Sequence, residues 1–145
     1  MVVVDLVAKR AKLILVSGPS RGGKSRWAES LVGTEEPVTY IATAAARPED
    51  AAWQQRLERH RQRRPGHWRL LECGADLVEA LSCVDRNHKV LIDALGGFVA
   101  HHLEEETTNW QNLAEALVQQ LDRMPQVCVV VIEETGWGVV PPTRF

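Results

Sequence analysis

The residues with the most chemistry in them are Gly18, Pro19, Ser20, Arg21, Gly22, Gly23, Lys24 and Ser25. Their order fits the spacing G-x-x-x-x-G-K-[ST] of a loop that cradles phosphates. The glycines let the backbone curl so that successive N–H groups point into one concavity. That concavity and the start of the following helix both favour an anion. Lys24 supplies a mobile positive charge for the β- and γ-phosphates, and Ser25 a hydroxyl for the Mg²⁺ that bridges them. Asp93 ends an apolar run, Val90-Leu-Ile-Asp93, downstream of the loop. Such a strand end is where a second acid on the metal side is placed, next to Ser25. The competing role for Asp93 is to cap the turn that follows.

His60 stands among Arg59, Arg61, Arg63 and Arg64. A cationic surround lowers the pKa of an imidazole and keeps it neutral near pH 7. A neutral ring is a competent nucleophile, and the same arginines could hold a triphosphate beside it. The alternative is a solvated basic helix face with His60 half-buried. His67, His88, His101 and His102 show no ligand spacing with carboxylates or cysteines and read as surface or loop residues. Cys73, Cys83 and Cys128 are scattered, without a C-x-x-C pair, which points away from a disulfide framework or a zinc site. They read as small buried hydrophobes. Trp137, between Gly136 and Gly138, reads either as a lid or platform for a large ligand or as a plug on the sheet end.

These residues need elements to hold them. Leu13 to Val16 reads as a strand entering the phosphate loop, and Arg26 to Val32 as a helix with Trp27, Ala28 and Leu31 on one side, ending at Gly33. Val38 to Thr43 is a second strand. Arg47-Pro48-Glu49-Asp50 opens a helix that runs to Arg63 and stops at Arg64-Pro65-Gly66, with Trp53, Leu57 and His60 on one thin stripe. His67 to Glu72 is a short strand. Asp76 to Val84 is helical, with Leu77, Leu81 and Val84 in register. Lys89 to Asp93 is a strand followed by Gly96-Gly97, and Phe98 to Leu103 starts another helix. Asn109 to Met124 places Leu113, Leu117, Leu121 and Met124 on one face. Val127 to Ile132 is a continuous apolar strand, buried on both faces. Residues 133–145 read as a loop-like tail. Strands alternate with helices, which predicts an α/β fold: a mostly parallel sheet with helices on both faces, P-loop NTPase-like (RecA-like), in a single domain spanning 1–145. Residues 1–12 read as a ragged extension.

The chain has 145 residues, 45% hydrophobic and 25% charged, with a net charge of −2. That balance supplies no field that would draw it to nucleic acid. No apolar run reaches the length of a membrane span, so the expected compartment is the cytoplasm.

The residues resemble one family, the bifunctional adenosylcobinamide kinase / adenosylcobinamide-phosphate guanylyltransferases of cobalamin biosynthesis. Ile14 to Ser25 is similar to the family's phosphate loop, with Arg21 where the family carries Arg. Tyr40-Ile-Ala-Thr43 is similar to its second strand. Arg56-Leu-Glu-Arg-His60 followed by Arg64, Pro65, Trp68 and Glu72 resembles its R-[IL]-x-x-H and R-P-x-x-W-x-x-x-E segment. Val90 to Asp93 and Glu134-Thr-Gly-Trp-Gly-Val-Val-Pro141 resemble later motifs. The resemblance implies phosphorylation of adenosylcobinamide by ATP or GTP, then transfer of GMP from GTP through a histidine, giving adenosylcobinamide-GDP. On this sequence the nucleophile would be His60. Besides the loop, the family's nucleotide contacts would fall on Thr43, Ala44, Ala45, Arg61, Gln62, Arg63, Arg64, Glu72 and Asp93. The implied cofactor is Mg²⁺ with the nucleotide, without a tightly bound organic group, and the implied assembly is a homo-oligomer. The sequence departs from the pattern at Glu133, where the family has Asn, and at Leu70, where it has Thr. The family also continues past Arg144 with a helix and a closing strand, so a C-terminally short form is the expectation. Two other readings stay open: a P-loop kinase of another small molecule, and a degenerate or truncated nucleotide-binding protein.

Overall fold

A computed structural model describes residues 2–4, 13–19 and 21–134. The elements are β1 (Val2–Val4), β2 (Leu13–Gly18), α1 (Lys24–Val32), β3 (Val38–Ala42), α2 (Ala51–Arg63), β4 (Arg69–Glu72), α3 (Leu77–Ser82), β5 (Lys89–Asp93), α4 (Leu95–Ala100), α5 (Thr107–Arg123) and β6 (Cys128–Glu133). They form one sheet in the order β1-β2-β6-β5-β3-β4. The five strands from β2 onward are parallel, and only β1 runs antiparallel, along β2. The expected α/β architecture is therefore the observed one. The apolar Val2–Val4 of the expected extension joins the sheet edge, with Val3 opposite Val16.

Continuous apolar runs explain the centre of the sheet. Val129, Val130 and Val131 of β6 and Val90, Leu91 and Ile92 of β5 are buried on both faces, as a strand covered on two sides requires. On one face α1 lays Ala28 and Val32 against Val16, Leu91, Val129 and Val131. On the other, Leu77 and Leu81 of α3, Phe98 of α4 and Leu117 of α5 cover Ile41, Val90, Ile92 and Val130. Trp27, expected on the packed side of α1, is exposed instead. The buried positions are Lys24, Ala28, Glu29 and Val32, spaced i, i+4, i+5, i+8, and Trp27 lies outside that stripe.

Several boundaries differ from the sequence reading. Arg47-Pro48-Glu49 precedes α2 rather than opening it: Asp50 is the N-cap, its carboxylate accepting from the Trp53 N–H at 2.9 Å. The expected tail begins too early, since Glu133 is the last residue of β6. Of the cysteines only Cys128 is buried, where burial pushes its thiol up to about 11, while Cys83 is exposed. Gly96 and Gly97 lie inside α4, not before it. A Cβ on Gly97 would stand 3.0 Å from the Thr43 carbonyl carbon and 3.1 Å from the Ala44 amide nitrogen. Both are backbone atoms and cannot swing away. Gly97→Ala is expected to destabilise the protein by about 1–3 kcal/mol, read as a lowered midpoint of thermal unfolding. Gly66→Ala, where a Cβ meets nothing within 4 Å, serves as the neutral comparison.

Candidate active site

The site sits at the carboxyl ends of the parallel strands, where open α/β sheets place ligands. β2 delivers the phosphate loop and α1 leaves it with Gly23 as N-cap at φ 80°. Arg21 also has a positive φ, 60°. Alternating left-handed residues turn neighbouring N–H groups toward one centre, the geometry of an anion nest. Lys24 is buried, and its Nζ donates to the Pro19 carbonyl at 2.7 Å. Ser20 lies outside the described residues.

A cleft of about 790 Å³ opens over this loop, a size suited to a nucleotide. The loop and α1 line it with Arg21, Gly22, Gly23, Lys24 and Ser25. Across from them, α2 contributes Arg56, Arg59, His60 and Arg63, and the strand ends contribute Asp93 and Glu133. A second cavity, about 190 Å³, adjoins it and is lined by Tyr40, Thr43, Ala44, Trp53, Arg61, Arg64 and Glu72. His60, Ser25, Arg56, Asp93 and Glu133 border both. So the fold brings His60 to face the phosphate loop across a cleft, although it lies 35 positions along the chain from Ser25. Ala45 and Gln62 line neither cavity, and the Gln62 amide donates to Glu58 on the exposed side of α2 at 3.1 Å.

His60 is half-buried, and its pKa is held below 6.5, chiefly by burial and then by the Arg63 charge; Asp93 and Glu29 act the other way. The ring is therefore neutral at pH 7. Asp93 accepts from the Tyr40 hydroxyl at 2.6 Å. Burial first, and the Asp93 charge second, push the Tyr40 hydroxyl well above 10, so it remains a donor. The Arg64 guanidinium lies 4.0 Å from the Tyr40 ring centroid, a cation–π contact. β6 lies between β2 and β5, and its register places Glu133 opposite Gly18. Glu133 thus comes to the cleft beside Asp93.

Other expected site residues act on the frame. Thr43 is fully buried; its hydroxyl bonds the Ala94 carbonyl and accepts from the Ala94 N–H. His101 sits beside it, with Nε2 3.0 Å from the Thr43 carbonyl. His88 meets the Thr39 hydroxyl at 2.9 Å and His102 the Ala75 carbonyl at 3.1 Å. These histidines lie in turns and loops as expected, His101 exposed, and each ring is tied to a neighbouring group. Among the described residues, no group of three or more His, Cys, Asp or Glu is placed to hold a metal. Tyr40, Glu29, Arg56 and Glu133 escaped the sequence reading of the residues themselves. For Glu29 a signal was present: it falls on the buried stripe of α1, where a carboxylate needs a cationic partner. Trp137 and the Gly-rich segment around it lie outside the described residues.

Comparison with known proteins gives one consistent family. The model described as cobinamide kinase / cobinamide phosphate guanyltransferase matches residues 14–145. The bifunctional adenosylcobalamin biosynthesis protein CobU of Escherichia coli is 34% identical over 148 residues, covering 92% of this chain and 81% of that protein. Its namesake in Salmonella typhimurium is 34% identical over 154 residues, with the same coverage of 92% and 81%. The bifunctional adenosylcobalamin biosynthesis protein CobP of Pseudomonas aeruginosa is 38% identical over 130 residues, covering 88% and 74%. No described helix is long and apolar enough to cross a membrane. With the phosphate loop, the facing histidine helix and the parallel sheet all inside the matched span, the chain belongs to the cobinamide kinase / cobinamide phosphate guanyltransferase family.

Proposed function

We propose that this chain phosphorylates adenosylcobinamide with a nucleoside triphosphate and then guanylylates the product through a covalent GMP on His60. The observation that carries this reading is the placement of a neutral His60 opposite the phosphate loop, on the border of two adjoining cavities. In the first step the aminopropanol hydroxyl oxygen bonds the γ-phosphorus as the β–γ P–O bond breaks, the nucleoside diphosphate leaves and the hydroxyl proton is lost to solvent. In the second, a ring nitrogen of His60 bonds the α-phosphorus of GTP as the α–β P–O bond breaks and pyrophosphate leaves. The phosphate of the phosphorylated substrate then attacks that phosphorus, the N–P bond breaks and His60 is regenerated. Lys24 and the loop N–H groups hold the phosphates, while Arg56 and Arg59 face the charge that builds on the leaving group.

The donor set fits a nucleotide-borne Mg²⁺. Ser25 and Asp93 offer hard oxygen ligands, and Asp93 keeps one carboxylate oxygen free of the Tyr40 contact. Two protein oxygens with phosphates and water suit that ion. When bound, it would neutralise phosphate charge. Cavity residues Thr43, Ala44, Arg61, Arg64 and Glu72 are the proposed contacts for the rest of the nucleotide.

The test is incubation with α-labelled GTP and Mg²⁺, followed by denaturing gel and acid treatment. Label that survives denaturation and is released by acid supports a phosphoramidate. An unlabelled chain that still binds GTP sinks the guanylyltransferase half and leaves a nucleotide-binding protein or a simple kinase. The pH dependence is a further expectation. A lowered pKa keeps the ring neutral to more acidic pH, so the acid limb of adduct formation should fall below pH 6.5. Rapid-quench labelling across pH checks it, and a limb above that value contradicts it.

A further inference from the structure

Glu29 projects from the buried stripe of α1 and is nine-tenths buried. Its two carboxylate oxygens accept from Arg63 Nε at 2.6 Å and Nη2 at 2.8 Å, a bidentate pair of fixed geometry. The same Nη2 lies 3.4 Å from His60 Nδ1. A guanidinium has only donors, so Nδ1 must be the acceptor, and the neutral ring must carry its proton on Nε2. α2 buries no residue of its own, so apolar packing does little to orient His60. The ion pair to α1 is the polar tie that does.

We propose that Glu29 is a positioning residue for His60, acting through Arg63, and that it sets which ring nitrogen carries the lone pair facing the nucleotide. This rests on the reading of His60 as the nucleophile. While Arg63 stays on Nδ1, the ring has no free lone pair: one nitrogen is protonated and the other is occupied. A triphosphate in the cleft competes for the Arg63 N–H groups. As Arg63 turns to the phosphates, Nδ1 is freed, the Nδ1–P bond forms, pyrophosphate departs with the α–β bridging oxygen, and Nε2 keeps its proton. The resulting adduct is a cationic imidazole, a good leaving group for the second transfer. The charged groups that act on the ring are Arg56 and Arg63 from α2, Glu29 from α1 and Asp93 from β5, while Tyr40 from β3 and Glu133 from β6 line a cavity that the ring borders.

The experiment is ¹⁵N NMR of the imidazoles in the nucleotide-free protein and in Glu29→Gln and Glu29→Asp, with His60→Ala to assign the ring. The expected result is one Nε2–H tautomer in the parent, exchange between both tautomers in Glu29→Gln, and the parent pattern restored in Glu29→Asp. Adduct formation in a single turnover should slow by about 10-fold or more in Glu29→Gln, with the guanylate of the parent mapped to Nδ1. An identical tautomer in parent and Glu29→Gln overturns the proposal, as does an Nδ1–H ring or an Nε2 adduct in the parent. The NMR arm needs no GTP. Its failure is therefore distinct from the absence of any adduct, which would instead remove His60 as nucleophile.

Discussion

A His60→Ala protein is expected to bind GTP as the parent does and to carry no acid-labile guanylate. Removing a covalent nucleophile costs on the order of 10⁴-fold or more in the step it performs. The substitution is otherwise mild. His60 lies on a helix that buries none of its residues, alanine is the better helix former, and among the described residues the ring's hydrogen-bond contact is to Arg63 at 3.4 Å. The folded state should therefore survive, as a thermal melt by circular dichroism would report. The proposed kinase half-reaction draws on the phosphate loop and Asp93 rather than on His60, so phosphorylation of adenosylcobinamide should persist. Label retained by His60→Ala would place the adduct on another residue.

Lys24→Ala should do the opposite and depress both half-reactions together. The amine is held at the mouth of the loop by the Pro19 carbonyl, 2.7 Å away, where transfer to a phosphate oxygen needs little movement. A preorganised charge in such a site is worth about 10²–10³ in rate. Lys24→Arg is not expected to rescue it. The lysine stem passes within 3.5 Å of the space a Cβ would take on Gly18, and a planar guanidinium is no substitute for a compact ammonium there. Initial rates of phosphorylation and of labelling, measured side by side, check this. A Lys24→Ala protein with either rate intact would show that the loop does not serve that reaction.

The two substitutions separate the site into parts with different origins. The phosphate loop is local: eight adjacent residues carry the glycines, the amine and the hydroxyl, and α1 follows them directly. Its function could be inferred from spacing because backbone curvature over so few residues depends on little else. The parallel strands were equally legible, whereas β1 was not. Val129 to Val131 and Val90 to Ile92 are apolar without alternation, which only a two-sided sheet accommodates. Helix ends were less so. Pro48 and Glu49 suggested a first turn, but Asp50 is the cap, its carboxylate accepting from the Trp53 N–H three residues on. Gly96 and Gly97 resembled a break, although both lie in α4, where Gly97 leaves room for the Thr43–Ala44 backbone and Gly96 for the Glu133 carboxylate.

The chemistry available to this protein is written in its residue order: a phosphate loop with Lys24 and Ser25, an acid at the end of an apolar strand, and a histidine among arginines. The order of strands along the chain and their burial also followed from it, because periodicity is a property of neighbours. Which of these groups face one another is a matter of the folded arrangement. β6 arrives from the end of the described chain to lie between β2 and β5, carrying Glu133 to the cleft. Tyr40 meets Asp93 across the sheet, and Glu29 claims Arg63 from a helix 34 positions away. Those pairings depend on strand order and on the angle at which an exposed helix is tied to a buried one. Distances of that kind are set by packing in three dimensions, and no spacing along the chain encodes them.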